Sequence, residues 1–150
     1  MQDSNGIYID TSVLVKWLVI EPFSQEVVQF FNEASQLIIS DLVELECHCT
    51  LMRLQRNKNI TEEYRLKAEH VLAEQISDQW FERAAFSGHV FKEAKRLIDQ
   101  VSPLPLRSLD AVHLSIVQAA NIKKIATADI EMRKVAEKLG LAIHYFNHSI

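Results

Sequence analysis

Short apolar runs alternate with longer amphipathic segments along almost the whole chain, and this rhythm restricts the fold more than any other feature. Ile7-Tyr8-Ile9, Leu37-Ile38-Ile39, Trp80-Phe81, residues 124–127 and residues 141–146 read as strands. Between them lie helical patterns at residues 12–18, from Ser24 as a cap, at about 41–56, after the cap Thr61, and at 88–100, 109–120 and 130–139. Glu21-Pro22, Asn57-Lys58-Asn59, Ser102-Pro103-Leu104-Pro105 and Gly140 supply the stops. Strands joined through helices run parallel, so a central, mainly parallel sheet with helices on both faces is expected. Residues 109–120 are nearly all apolar and belong inside.

The 150 residues are expected to form one domain, residues 1–150, with a sizeable core. No apolar run approaches the roughly 20 residues that span a bilayer, so no membrane association is expected. The polar N-terminus has no apolar h-region, which points to the cytoplasm. Three scattered glycines, Gly6, Gly88 and Gly140, exclude a P-loop or a dinucleotide-binding fingerprint, both of which cluster glycines against phosphate. The net charge of −4 argues against a dedicated DNA-binding module but leaves a nuclease open, because metal ions reverse the field of an acidic cluster. Cys47 and Cys49 flank His48. On a helix the two thiols point about 200° apart, so they read as ordinary thiols and neither share a metal nor form a disulfide.

Four acids stand where caps or apolar side chains would be expected. Asp10 follows the first strand and opens Asp10-Thr11-Ser12-Val13-Leu14. Glu46 interrupts a stripe that includes Leu42 and Cys49, whereas Glu44 projects to nearly the opposite side and reads as solvent-facing. Asp41 suits a helix start. Asp110 opens the apolar helix and shares a face with His113, which reads as a hydrogen-bonded core residue rather than a ligand. Asp129 ends Ile125-Ala126-Thr127-Ala128-Asp129, with Thr127 leaving the strand on the same side. Asp10 and Asp129 are each explicable as caps, and Asp110 as a partner of the helix dipole. Carboxylates are rarely buried unless paired or bound to metal, however, and the conjunction of four suggests a cation site.

In these segments the chain resembles the PIN-domain ribonucleases, specifically the VapC-like toxins of toxin–antitoxin pairs. Tyr8-Ile9-Asp10-Thr11-Ser12-Val13-Leu14-Val15-Lys16 resembles the opening motif of that family. Ser40-Asp41-Leu42-Val43-Glu44-Leu45-Glu46 aligns its small residue, Leu and trailing Glu, which assigns the acid to Glu46. Leu109-Asp110-Ala111-Val112-His113-Leu114 and Thr127-Ala128-Asp129 match the later motifs in order. Cys47-His48-Cys49 departs from the pattern, as does the lack of a strongly basic surface.

The resemblance implies a PIN-like three-layer α/β sandwich and a metal-dependent endoribonuclease. Asp10, Glu46 and Asp110 would form the core of the metal site, with Asp129 placing a second ion or a water, and Ser12 and Thr127 holding metal-bound waters. Oxygen ligands favour Mg²⁺ or Mn²⁺. Lys16, Arg53, Arg56, Arg107 and Arg133 are candidates to hold RNA. Trp17 and Trp80 could stack bases, but core packing is the simpler reading. The resemblance further implies a homodimer and a cognate antitoxin. Rival readings are a PIN-like nuclease of RNA processing or DNA repair, and a catalytically inactive binding module of the same fold.

Overall fold

The computed structural model describes residues 4–147. Five strands form one sheet: β1 (Ser4–Ile9), β2 (Leu37–Ile39), β3 (Phe81–Arg83), β4 (Ile122–Thr127) and β5 (Ala142–Tyr145). Their order is β3-β2-β1-β4-β5 and every pairing is parallel. The helices are α1 (Thr11–Leu18), α2 (Ser24–Glu33), α3 (Asp41–Arg56), α4 (Glu62–Ser77), α5 (His89–Val101), α6 (Ser108–Ala119) and α7 (Ile130–Lys138).

The central strand carries the core. Tyr8 and Ile9 are fully buried in β1, and Ile125 and Ala126 in β4 beside it. Gly6 lies against the Ile38 side chain on β2 so closely that a Cβ there would collide with it. Seven consecutive residues of α6, from Ala111 to Val117, are buried, as expected of a helix that is apolar nearly all round. α6 packs against α5, α1 against α2 and α3, and α7 against β4 and β5.

The strand order reverses direction at β1. From β1 the chain moves outward to β2 and β3, then returns to build β4 and β5 on the other side. In open parallel sheets the loops at such a switch point part and leave a crevice beyond the strand ends. Here that crevice lies beyond Ile9 and Thr127, which is where Asp10 and Asp129 follow.

Several local expectations need correction. Ser24 is the first residue of α2 rather than its cap; Phe23 holds the cap position with φ 72°. The Ser24 hydroxyl instead accepts from the Glu21 N–H at 2.9 Å and donates to the Val19 carbonyl at 3.0 Å. β3 begins at Phe81, one residue after Trp80, and β1 and β4 start earlier than their apolar runs. Glu44 is only half exposed, because Arg83 on β3 reaches both it and Asp41. Cys47 is buried and Cys49 exposed, as the helical turn requires, and burial pushes the Cys47 thiol up to about 12. Trp17 and Trp80 pack on each other at 5.3 Å between ring centroids, and both lie against Phe31 and Phe81.

Candidate active site at the carboxyl ends of β1 and β4

Asp10 has two jobs. Its backbone turns the chain out of β1, and its Oδ1 caps α1 by accepting from the Val13 N–H at 3.2 Å. The same oxygen accepts from the Ser12 hydroxyl at 2.5 Å. Oδ2 accepts from the hydroxyl of Thr127, the last residue of β4. Ser12 and Thr127 also accept backbone hydrogen bonds, from Ala128 N–H at 2.9 Å and Asp129 N–H at 3.0 Å. These bonds stitch the β1–α1 corner to the β4–α7 corner. Asp10 is only 5% exposed. Burial pushes its carboxyl up to about 6, against the opposing pull of the Ser12 and Thr127 hydroxyls and the nearby His113.

Asp129 is both a cap and part of the wall of the same crevice. Oδ1 accepts from the Glu131 and Met132 N–H groups at 2.8 and 3.1 Å, closing the first turn of α7. Oδ2 accepts from the Arg107 guanidinium at 2.8 Å. Nε of the same guanidinium donates to Asp110 Oδ2 at 3.1 Å. A single cation therefore joins the two acids. Burial raises the Asp110 carboxyl, although Arg107 and His113 pull the other way. Asp110, and after it Asp129, hold Arg107 above its ordinary value.

Glu46 enters from the second turn of α3. Thr11 donates to its Oε1 at 2.7 Å, and His113 Nε2 reaches the same oxygen. Burial opposes the charge on Glu46, but the His113 hydrogen bond and charge, the Thr11 hydroxyl and Arg107 outweigh it and lower its pKa. His113 is held at its other nitrogen as well, by the Tyr8 hydroxyl at 2.7 Å. With both nitrogens engaged in this way, the core reading of His113 fits the structure better than an Asp110–His113 metal pair.

Asp10, Glu46, Asp110 and Asp129 all line one cavity of about 450 Å³. Ser12 lines it too, while Thr127 is fully buried behind Asp10. Of the five cationic candidates, Lys16, Arg53 and Arg107 line the cavity. Lys16 is paired with Glu21 at 3.2 Å. Arg133 instead pairs with Glu137 and lies over the Tyr145 ring. Among the described residues no three His, Cys, Asp or Glu side chains are gathered closely enough to hold an ion as they stand. Hydroxyls hold Asp10, and Arg107 spans Asp110 and Asp129.

The PIN domain family matches residues 7–138, a span that contains all four acids. The chain belongs to the PIN-domain family. Ribonuclease VapC46 of Mycobacterium tuberculosis is a relative 28% identical over 143 residues, covering 92% of this chain and 95% of that one. The PIN fold is also shared with M. tuberculosis VapC20, described as a Sarcin-Ricin loop cleaving toxin. That match has a TM-score of 0.68 at 13% identity and covers 85% of this chain and 93% of that one. VapBC2 from Rickettsia felis, solved bound to a DNA fragment from its promoter, matches at a TM-score of 0.61 and 15% identity over 95% and 99% of the two chains. FitAcB from Neisseria gonorrhoeae matches at 0.61 and 14% over 91% and 95%. At these identities the structural likeness is one of fold.

The links of His113 to Glu46 and Tyr8, and the bridging position of Arg107, were least visible in the sequence. Tyr8 reads as a plain strand aromatic, and its hydroxyl has purpose only once α6 lies against β1. Arg107 carried a cue, three residues before Asp110 at a helix start, but nothing local tied it to Asp129.

Proposed function

We propose that the protein is a metal-dependent endoribonuclease and the toxin of a toxin–antitoxin pair. The observation that carries this reading is the gathering of Asp10, Glu46, Asp110 and Asp129 around one cavity at the sheet's switch point. The PIN family membership and the ribonuclease relative support it.

The donor set fits a hard divalent cation. All four side chains offer oxygen, which favours Mg²⁺ or Mn²⁺ over zinc. Burial raises Asp10 and Asp110, so their charged forms call for a nearby cation. The guanidinium of Arg107 already answers that field between Asp110 and Asp129. Asp10, Glu46 and Asp110 would hold the ion, with Asp129 as a further ligand or the holder of a water. When bound, the cation supplies Lewis-acid stabilisation of phosphate oxygens and a more acidic water.

The chain's own residues divide the remaining work. Ser12 and Thr127 orient the Asp10 carboxylate. Thr11 and His113 hold Glu46 by one oxygen and leave the other for a ligand. Arg53 and Arg107, in the cavity wall, are placed to bind the RNA phosphate, and Arg107 exchanges its acid partners for phosphate oxygens as it does so. Water then attacks phosphorus as the bond to the ribose oxygen breaks, and that oxygen leaves as a hydroxyl carrying the proton that water gives up, without a covalent enzyme intermediate.

The VapC and VapBC names among the relatives support an antitoxin protein as partner, and a homodimer is the working unit of this reading. Among the described residues no helix is long and apolar enough to cross a membrane, and a cytoplasmic site of action fits an RNA substrate. The test is cleavage of a panel of structured RNAs with Mn²⁺ by purified wild type and by Asp10→Asn. We expect Mn²⁺-dependent cuts from the wild type and none from the variant. Failure of the wild type on every RNA would refute the proposal.

A further inference from the structure

The carboxylate of Glu46 is the end of a hydrogen-bond chain that begins in the core. Ser40, Tyr8 and His113 are 0%, 0% and 2% exposed. Ser40 Oγ lies 2.8 Å from the Tyr8 hydroxyl, which lies 2.7 Å from His113 Nδ1, and His113 Nε2 meets Glu46 Oε1. The members come from the β2–α3 corner, β1, α6 and α3. Tyr8 lies within the apolar core, where Phe would pack without needing a partner, and His113 stands between that core and the wall of the acidic cavity. An unsatisfied polar group there is destabilising. Such a network is worth keeping for what it delivers at its open end.

The chemistry of the links gives the chain a direction. An ionised carboxylate only accepts, so the hydrogen lies on His113 Nε2. In the neutral ring Nδ1 accepts from the Tyr8 hydroxyl, and in the protonated ring Nδ1 donates to it; in both states Nε2 carries the hydrogen that meets Glu46. Ser40 Oγ, at the far end, accepts from the Val43 N–H at 3.4 Å. Tyr8 also meets the imidazole edge-on, with ring centroids 5.8 Å apart, which fixes the ring's tilt. Thr11 adds its own bond to Glu46 Oε1 from the opposite element, α1. Both bonds fall on one oxygen.

We infer that His113 is a positioning residue for Glu46, aimed by the buried Ser40–Tyr8 pair, which pins Oε1 and leaves Oε2 to bind the cation. This inference rests on the proposed reading of the acids as a cation site and adds a part that none of the four acids supplies. It also assigns His113 a role that excludes it from the ligand set, since neither ring nitrogen has a spare lone pair.

The test is calorimetric titration of the full chain with Mn²⁺ alone, without RNA. Tyr8→Phe leaves His113 in place and removes only its anchor; it should weaken Mn²⁺ binding, toward the low end of the roughly 10–100-fold loss typical of such outer partners. His113→Ala should lose more, and His113→Gln, which keeps an N–H for Glu46, should recover part of it. In a Glu46→Gln background, His113→Ala should cause no further loss, because the effect runs through Glu46. If His113→Ala does not fold, Tyr8→Phe decides the matter. Unchanged affinity in Tyr8→Phe, or an equal His113→Ala loss with and without Glu46, would overturn the inference while leaving the acid site standing. Undiminished Mn²⁺ binding by Glu46→Gln itself would instead remove the cation-site reading, and the inference with it.

Discussion

Thr127, at the end of β4, donates its hydroxyl to the carboxylate of Asp10, at the end of β1. The two residues are neighbours across the switch point of the sheet, and both are buried. Thr127→Val keeps the shape and removes the donor. It should cost about 1–3 kcal/mol of stability, because an oxygen of Asp10 is left without its partner. RNA cleavage should fall about 10–100-fold, the usual cost of losing a residue that orients a metal ligand. Thr127→Ser should restore most of both. Urea denaturation and cleavage rates measure the two effects, and a Thr127→Val enzyme with wild-type cleavage would contradict the role given to this hydroxyl.

Asp10 also makes stability depend on pH in an unusual direction. Burial, opposed by hydroxyl hydrogen bonds, sets its carboxyl at about 6 against an ordinary 3.8. The folded state thus prefers the protonated form, so Asp10 carries no penalty below about pH 4. The penalty grows as pH rises through this window and is complete above pH 6, reaching about 3 kcal/mol. Glu46, whose pKa is lowered, acts oppositely: its contribution is present above its unfolded value and is lost as pH falls. Asp10→Asn still caps α1 and removes only the Asp10 part. Its stability relative to wild type, followed by urea denaturation without metal, should therefore rise between pH 4 and pH 7. A constant difference across that range would show that Asp10 is not strained by its charge.

Arg107 is paired with both Asp110 and Asp129, so a cation held by these acids would have to compete with it. Its side chain is 71% exposed, so the pairs contribute little to folding, up to about 1 kcal/mol each. Arg107→Gln should leave the melting temperature nearly unchanged and tighten Mn²⁺ binding by up to about fivefold per pair removed. The same variant should bind RNA more weakly, since it lacks the cation proposed to contact phosphate. Opposite movements of the two affinities are the signature. Weakened Mn²⁺ binding would mean that Arg107 builds the site rather than guarding it.

Trp17 separates packing from base recognition. It sits in a cluster with Phe31, Trp80 and Phe81, all within 6.1 Å of one another by ring centroids. Trp17→Ala should destabilise the fold by about 3 kcal/mol. Cleavage per folded molecule should stay at the wild-type level. A selective rise in KM for RNA with unchanged stability would restore the stacking reading.

The sequence disclosed the elements because apolar runs and helical stripes are local signals. Glu46 could be told from Glu44 because helical periodicity alone puts them on different sides. Asp10 and Asp129 were harder, and the structure shows why: each is a true cap, and the second oxygen of each is held by a distant residue, Thr127 for Asp10 and Arg107 for Asp129. Phe23 gave no sign of its left-handed backbone, since aromatic residues rarely adopt it. The Tyr8–His113 bond spans 105 positions and the Arg107–Asp129 pair 22, and no pattern along the chain encodes such meetings. They follow from the parallel order of the sheet, which sets the ends of β1 and β4 side by side.

The central claim is that the four acids gather around a divalent cation. The most direct measurement is anomalous diffraction from crystals soaked in Mn²⁺. A peak is expected within coordination distance, about 2.1 Å for an ion of this class, of oxygens from Asp10, Glu46 and Asp110, with Arg107 turned away from Asp110. A fully loaded crystal with no peak in this cavity, or with Arg107 still joining Asp110 to Asp129, would contradict the account.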